Sequence, residues 1–166
     1  MRKRGFRFFC WCIILTLLLL STGVASAQSV FHDHLSETIM RGDNVPTRKK
    51  NLSSVTSYWA EWEHVEHYTY TNYLLCTGDD SKRFEIQLYG HTSDFHEDPK
   101  DGTMYVDMYA SNGVKVAEWY AGSGSSHSFT KYWSPIYGSN YYYFKIRVDI
   151  EGGYSWGSMC ITAVDK

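Results

Sequence analysis

The chain has 166 residues, with 16 basic and 18 acidic side chains, a formal charge of −2 and an aromatic share of 17 %. That balance argues against nucleic acid and anionic lipid as principal partners, because both reward clustered lysine and arginine. Beyond the N-terminal apolar run, every hydrophobic stretch is broken by charge well short of the about 20 residues a spanning helix needs.

Residues 1–27 read as a secretory signal peptide. Arg2, Lys3, Arg4 and Arg7 supply the positive region, Phe8 to Leu20 the apolar core, and Ala25-Ser26-Ala27 a small-residue cleavage site. Removal of that leader would leave Gln28 to Lys166, 139 residues carrying twelve basic and eighteen acidic side chains, a formal charge of −6. Such a chain is long enough for one domain with its own core, and its expected location is secreted, extracellular. Residues 28–57 are polar and aperiodic and read as a loosely ordered arm. Residues 58–166 read as the folded domain.

Tyr58 to Cys76, "YWAEWEHVEHYTYTNYLLC", looks most like chemistry. A helix would put His64 and His67 on one face, whereas a strand sends them to opposite faces. The aromatic and threonine-rich continuation favours a strand, and "HVEH" lacks the histidine spacing of zinc-protease helices. The stretch is therefore expected to be a two-faced strand leading to a disulfide, not a site. Cys10 and Cys12 leave with the leader, so Cys76 and Cys160 remain. In an exported chain an isolated pair is expected to bridge, and closing a loop of about 85 residues contributes roughly 4 kcal/mol in the chain-entropy model.

Further along, "RFEIQLYG" alternates Phe84, Ile86 and Leu88 against Glu85, Gln87 and Tyr89. "TMYVDMYA" alternates Met104, Val106 and Met108 against Tyr105, Asp107 and Tyr109. Asn112-Gly113 signals a two-residue hairpin into "VKVAEWYA". After "SFTKYW", the run "YYYFKIRVDI" puts Tyr142, Phe144, Ile146, Val148 and Ile150 on one face and Tyr141, Tyr143, Lys145, Arg147 and Asp149 on the other. "EGG" then turns the chain into "YSWGSMCITAV". The expected fold class is all-β: an antiparallel β-sandwich, jelly-roll or Ig-like, of about seven strands with one disulfide.

The loop "HTSDFHEDPKDG" gathers Asp94, Glu97, Asp98 and Asp101, a candidate calcium site because calcium takes oxygen ligands, although the order of an EF-hand is absent. Seven histidines could serve zinc or copper, but no spacing forces them together. No G-x-S-x-G elbow occurs, and no sequence feature supports an enzyme. The feature above background is tyrosine. Tyr89, Tyr105, Tyr109, Tyr141 and Tyr143 fall on outward positions and form the candidate ligand-binding aromatic face, since rings with polar tips suit wet interfaces.

"YVDMYASNGVKVAEW" followed by "YYYFKIRVDIEGGYSWGSMCITAV" resembles the bacterial pre-peptidase C-terminal domains and related carbohydrate-binding β-sandwiches. Asp107-Met108-Tyr109, Asn112-Gly113, Tyr142-Tyr143 and Gly152-Gly153 occupy the strand, turn, strand and glycine turn of that pattern, over about Phe84 to Val164. The resemblance implies an accessory binding domain, with relatives that hold calcium in acidic loops. The expected function is thus a secreted, non-enzymatic binding module for extracellular glycan, cell wall, or a secreted or surface protein. The alternatives are a secreted toxin, antimicrobial or immunity factor at a membrane interface, where aromatic belts also serve, and a small metal-dependent hydrolase.

Overall fold

Alternating apolar and polar side chains lay down a β-sandwich in the computed structural model, which describes residues 40, 44–53 and 57–166. Ten strands form among them: β1 (Lys49–Asn51), β2 (Ser57–Val65), β3 (Tyr68–Tyr70), β4 (Leu74–Cys76), β5 (Lys82–Asp94), β6 (Gly102–Ala110), β7 (Lys115–Gly124), β8 (Ser126–Trp133), β9 (Tyr142–Asp149) and β10 (Gly153–Asp165). The count is ten rather than about seven because β1, β3 and β4 have only three residues each, too few for alternation to reveal. No helix of the described residues is long and apolar enough to cross a membrane.

One sheet runs β2-β10-β5-β8. The other runs β1-β4-β9-β6-β7, with β3 also on β9. Pairing is antiparallel except for β1 on β4, which is parallel and so departs from the expected pattern. The spine of the first sheet is the β5–β10 ladder, which pairs Lys82 with Asp165 and runs without a shift to Asp94 with Gly153.

The inward sets read from alternation meet as one core. Phe84 and Ile86 of β5, Met104, Val106 and Met108 of β6, and Phe144 and Ile146 of β9 have no exposed surface, nor do Trp62 of β2 and Met159 and Ile161 of β10. Fully burying such a side chain contributes about 1.5–3 kcal/mol. The expected leader, residues 1–27, lies outside the described residues, as does most of the arm at 28–57. Within the described part of that arm, Met40 and Leu52 are buried in the core. Met40 N donates to Glu61 O at 2.5 Å, and β1 joins the sheet.

The expected disulfide is absent: Cys76 and Cys160 are free thiols. They sit in different sheets, β4 and β10. Met159 and Ile161 point into the core, so Cys160 between them faces outward from its own sheet, away from Cys76. Burial raises the Cys160 thiol pKa above the ordinary range, while Thr162 hydrogen-bonding lowers it in part.

Candidate functional site

A β-bulge shapes the outer face of the four-stranded sheet. Trp62 pairs with Gly157 and Val65 with Ser155, so Glu63 and His64 of β2 lie opposite Trp156 alone. The extra residue is accommodated by His64 at φ 53°, in the left-handed region that non-glycine residues rarely adopt. Bulges re-aim side chains in this way. Here the imidazole of His64 is laid on the ring of Tyr154, with centroids 4.4 Å apart and planes 23° from parallel. The stretch "EWEHVEH" is thus not a plain two-faced strand. The bulge turns its middle into part of a site.

Beside that pair stands a second stack. The His91 ring lies 4.4 Å from Trp156 at 26°, and Tyr89 meets His91 edge-on at 4.9 Å. Strand pairing makes the arrangement, because His91 is the direct partner of Trp156 in the β5–β10 ladder. Phe95 leans over Tyr154 from the loop after β5. Trp156 is 43 % exposed, Tyr89 53 % and Phe95 60 %, whereas Tyr154, between His64 and Phe95, is buried.

His64, Tyr89, His91, Tyr154 and Trp156 line an open depression of about 830 Å³, together with Glu61, Glu63, Glu97, Ser126 and Ser158. A smaller depression of about 400 Å³ continues along the same face between Trp59, Gln87, Ser128 and Cys160, sharing Tyr89 and Ser158 with the first. Together they make one furrow. Its floor depends on two facing glycines, Gly90 and Gly157. A Cβ at Gly157 would come within 2.3 Å of Tyr89 O and 2.7 Å of the Trp62 ring. The Trp62 indole packs beneath and donates to Ser155 Oγ at 3.0 Å.

The five tyrosines named from the sequence do not form one face. Tyr89 lines the furrow. Tyr105, Tyr109 and Tyr143 lie on the outer face of the opposite sheet, and there Tyr143 is 4 % exposed. It is stacked on Tyr109 at 5.1 Å and 8° and flanked by Tyr70. Burial, with Tyr109 alongside, pushes the Tyr143 phenol pKa upward. Tyr141 precedes β9, under the Lys49 ammonium at 4.9 Å from its ring centroid. That opposite face is internally satisfied. Lys145 lies 3.9 Å from the Tyr68 ring centroid and Arg147 4.2 Å from that of Tyr105. Buried Asp107 accepts from Lys115 at 3.3 Å and from Arg147 at 3.4 Å. Glu118 accepts from Lys115 at 2.5 Å, which lowers its own pKa and raises that of Lys115.

Asp94, Glu97, Asp98 and Asp101, expected as a calcium site, fall on the end of β5 and the turn that follows it. Asp94 Oδ1 accepts from the backbone N–H groups of His96 at 2.7 Å and Asp98 at 3.1 Å. Those bonds, His96 N–H first, hold its carboxyl below the usual range, and they help close the turn. No group of three or more His, Cys, Asp or Glu side chains converges as metal ligands among the described residues.

Trp156, His91, His64, Tyr154, Glu61 and Glu63 are the site residues that sequence reasoning missed. A signal for one of them was present: the alternation that turns Tyr89 outward also turns His91 outward, two residues on.

No family model matches the chain, and no curated protein matches it. Solved structures show similarity at low identity. The C-terminal CBM6 of LamC, a laminarinase from Zobellia galactanivorans, is 16 % identical over 57 % of this chain and 71 % of that one, with a TM-score of 0.35. The CBM22-1 xylan-binding domain of Xyn10C from Paenibacillus barcinonensis is 16 % identical over 52 % of this chain and 58 % of that one, with a TM-score of 0.31. A structure of infectious bursal disease virus, Gx strain, is 8 % identical over 66 % of this chain, which spans only 29 % of the viral chain; the TM-score is 0.37. At these TM-scores the likeness assigns no family and no activity.

Proposed function

We propose that the protein is a secreted, non-enzymatic module that binds extracellular glycan in the furrow of its four-stranded sheet. The observation that carries this reading is the half-exposed Trp156 ring, held in place by the His91 stack and surrounded by carboxylates and hydroxyls. An aromatic face carries negative charge density, so it attracts the weakly positive C–H face of a sugar ring. Carboxylates accept strong hydrogen bonds from hydroxyl groups, and Glu61, Glu63 and Glu97 line the same depression. The furrow is open along the sheet, which suits a chain rather than a small enclosed ligand. Exposed aromatic residues concentrated in one depression also mark an interaction site on general grounds.

The test is retention on insoluble polysaccharides, with cell wall, β-glucan, xylan and mannan each tried. The wild-type protein is expected to be held by at least one and released by the soluble form of the same glycan. Trp156→Ala is expected to weaken retention at least about tenfold, roughly 1.4 kcal/mol, while keeping the wild-type circular dichroism spectrum. Retention unaffected by the substitution would refute the furrow as the binding site.

A further inference from the structure

We infer that the furrow selects uncharged glycans and rejects polyanionic ones, such as uronate or sulfated polymers; this rests on the glycan-binding reading above. Glu61, Glu63 and Glu97 line the main depression, and no lysine or arginine lines either depression among the described residues. None of the three carboxylates forms an ion pair among the described residues. Glu61 and Glu63 stand at successive outward positions of β2, next to the β10 strand that carries Trp156, with Glu61 directly paired to Ser158. A ligand stacked on Trp156 therefore lies beside both.

Several of the protein's cations are engaged on the other sheet. Lys115 and Arg147 are bound to Asp107 and Glu118, and Lys145 lies over Tyr68. On the furrow's own sheet Arg83 sits over the Tyr132 ring, 4.4 Å from its centroid, outside both depressions. A carboxylate or sulfate brought onto Trp156 would meet like charges, with no lysine or arginine among the described lining residues to offset them. Each such contact weakens binding several-fold even at the dielectric of water, and salt relieves it. The remaining titratable groups lining the depressions are His64, His91, Tyr89, Tyr154 and Cys160.

The experiment uses protein purified from cells expressing the full chain. Affinity electrophoresis is run through neutral β-glucan, xylan and mannan, and through the carboxymethylated derivative of each. The buffer is low in salt and held at pH 8, above the range in which imidazole ordinarily charges. For whichever backbone binds, the neutral polymer is expected to be held at least about tenfold more tightly than its carboxymethyl form. Glu61→Gln/Glu63→Gln/Glu97→Gln is expected to close that gap to about twofold, and so is 1 M salt, where the screening length falls to about 3 Å. The salt arm needs no variant, so a misfolded triple mutant would not rescue the idea. Equal binding of the two forms by the wild type, or a gap that survives both treatments, overturns charge selection and leaves glycan binding standing. Retention by none of the neutral polymers overturns the binding reading itself, and charge selection with it.

Discussion

His127 shows how much a single buried side chain fixes. It is 1 % exposed on β8, its Nε2 lies 3.4 Å from Thr92 Oγ1, and its Nδ1 has no hydrogen-bond partner among the described residues. Burial holds its pKa below the ordinary value of 6.5, against opposing backbone contributions from Gly122 and Gly124. A depressed imidazole binds its proton less readily folded than unfolded. Stability is then fully present above about 6.5 and falls as pH drops through the window down to the folded value. Chemical denaturation between pH 5 and 7.5 is expected to show that loss, and His127→Leu to flatten it. An equally steep profile in the variant would place the dependence elsewhere. The identity of His127 is plain in the sequence, but its burial is not. "GSGSSHSF" reads as a flexible glycine-serine loop, yet its first three residues end β7 on β6 and its last four begin β8 on β5, where His127 pairs with Gly90.

At the scale of elements, alternation was sufficient for the long strands β5, β6 and β9. The inward sets of β5, β6 and β9 are those that the period of two predicts, and they meet in the core. Three-residue strands carry no such pattern, which is why β1, β3 and β4 were not legible. Nor does periodicity reveal which strands become neighbours. The β5–β10 ladder puts His91 against Trp156 and Gly90 against Gly157 across more than sixty residues of chain. The bulge in β2 was equally hidden, because His64 has no feature that announces a left-handed backbone. The glycine pair gives a direct check. Gly157→Ala forces a Cβ against Tyr89 O, and overpacking of this kind costs about 1–3 kcal/mol. A lower thermal midpoint together with weaker glycan retention is expected. Full stability with full retention would show that the ladder's close approach does not support the furrow.

For the whole molecule, two sheets present two unlike outer faces. The tyrosine alternation located three rings correctly on one of them, Tyr105, Tyr109 and Tyr143, yet could not show that lysine, arginine and neighbouring rings already occupy that face. The other face holds the open furrow. The sandwich closes without a cross-link, since Cys76 and Cys160 face different directions from different sheets. The thermal midpoint is accordingly expected to be unchanged by reductant within about 2 °C, whereas loss of a bridge worth roughly 4 kcal/mol would lower it by many degrees. A large drop on reduction would contradict the strand placement of both cysteines.

The most direct measurement compares the two faces in one polysaccharide retention assay. Trp156→Ala is set against Tyr105→Ala and Tyr109→Ala, with folding of each checked by circular dichroism. Loss of retention in Trp156→Ala alone is the result expected of a furrow on the four-stranded sheet. Retention that survives Trp156→Ala and disappears with Tyr105→Ala or Tyr109→Ala would move the site to the opposite sheet and contradict it.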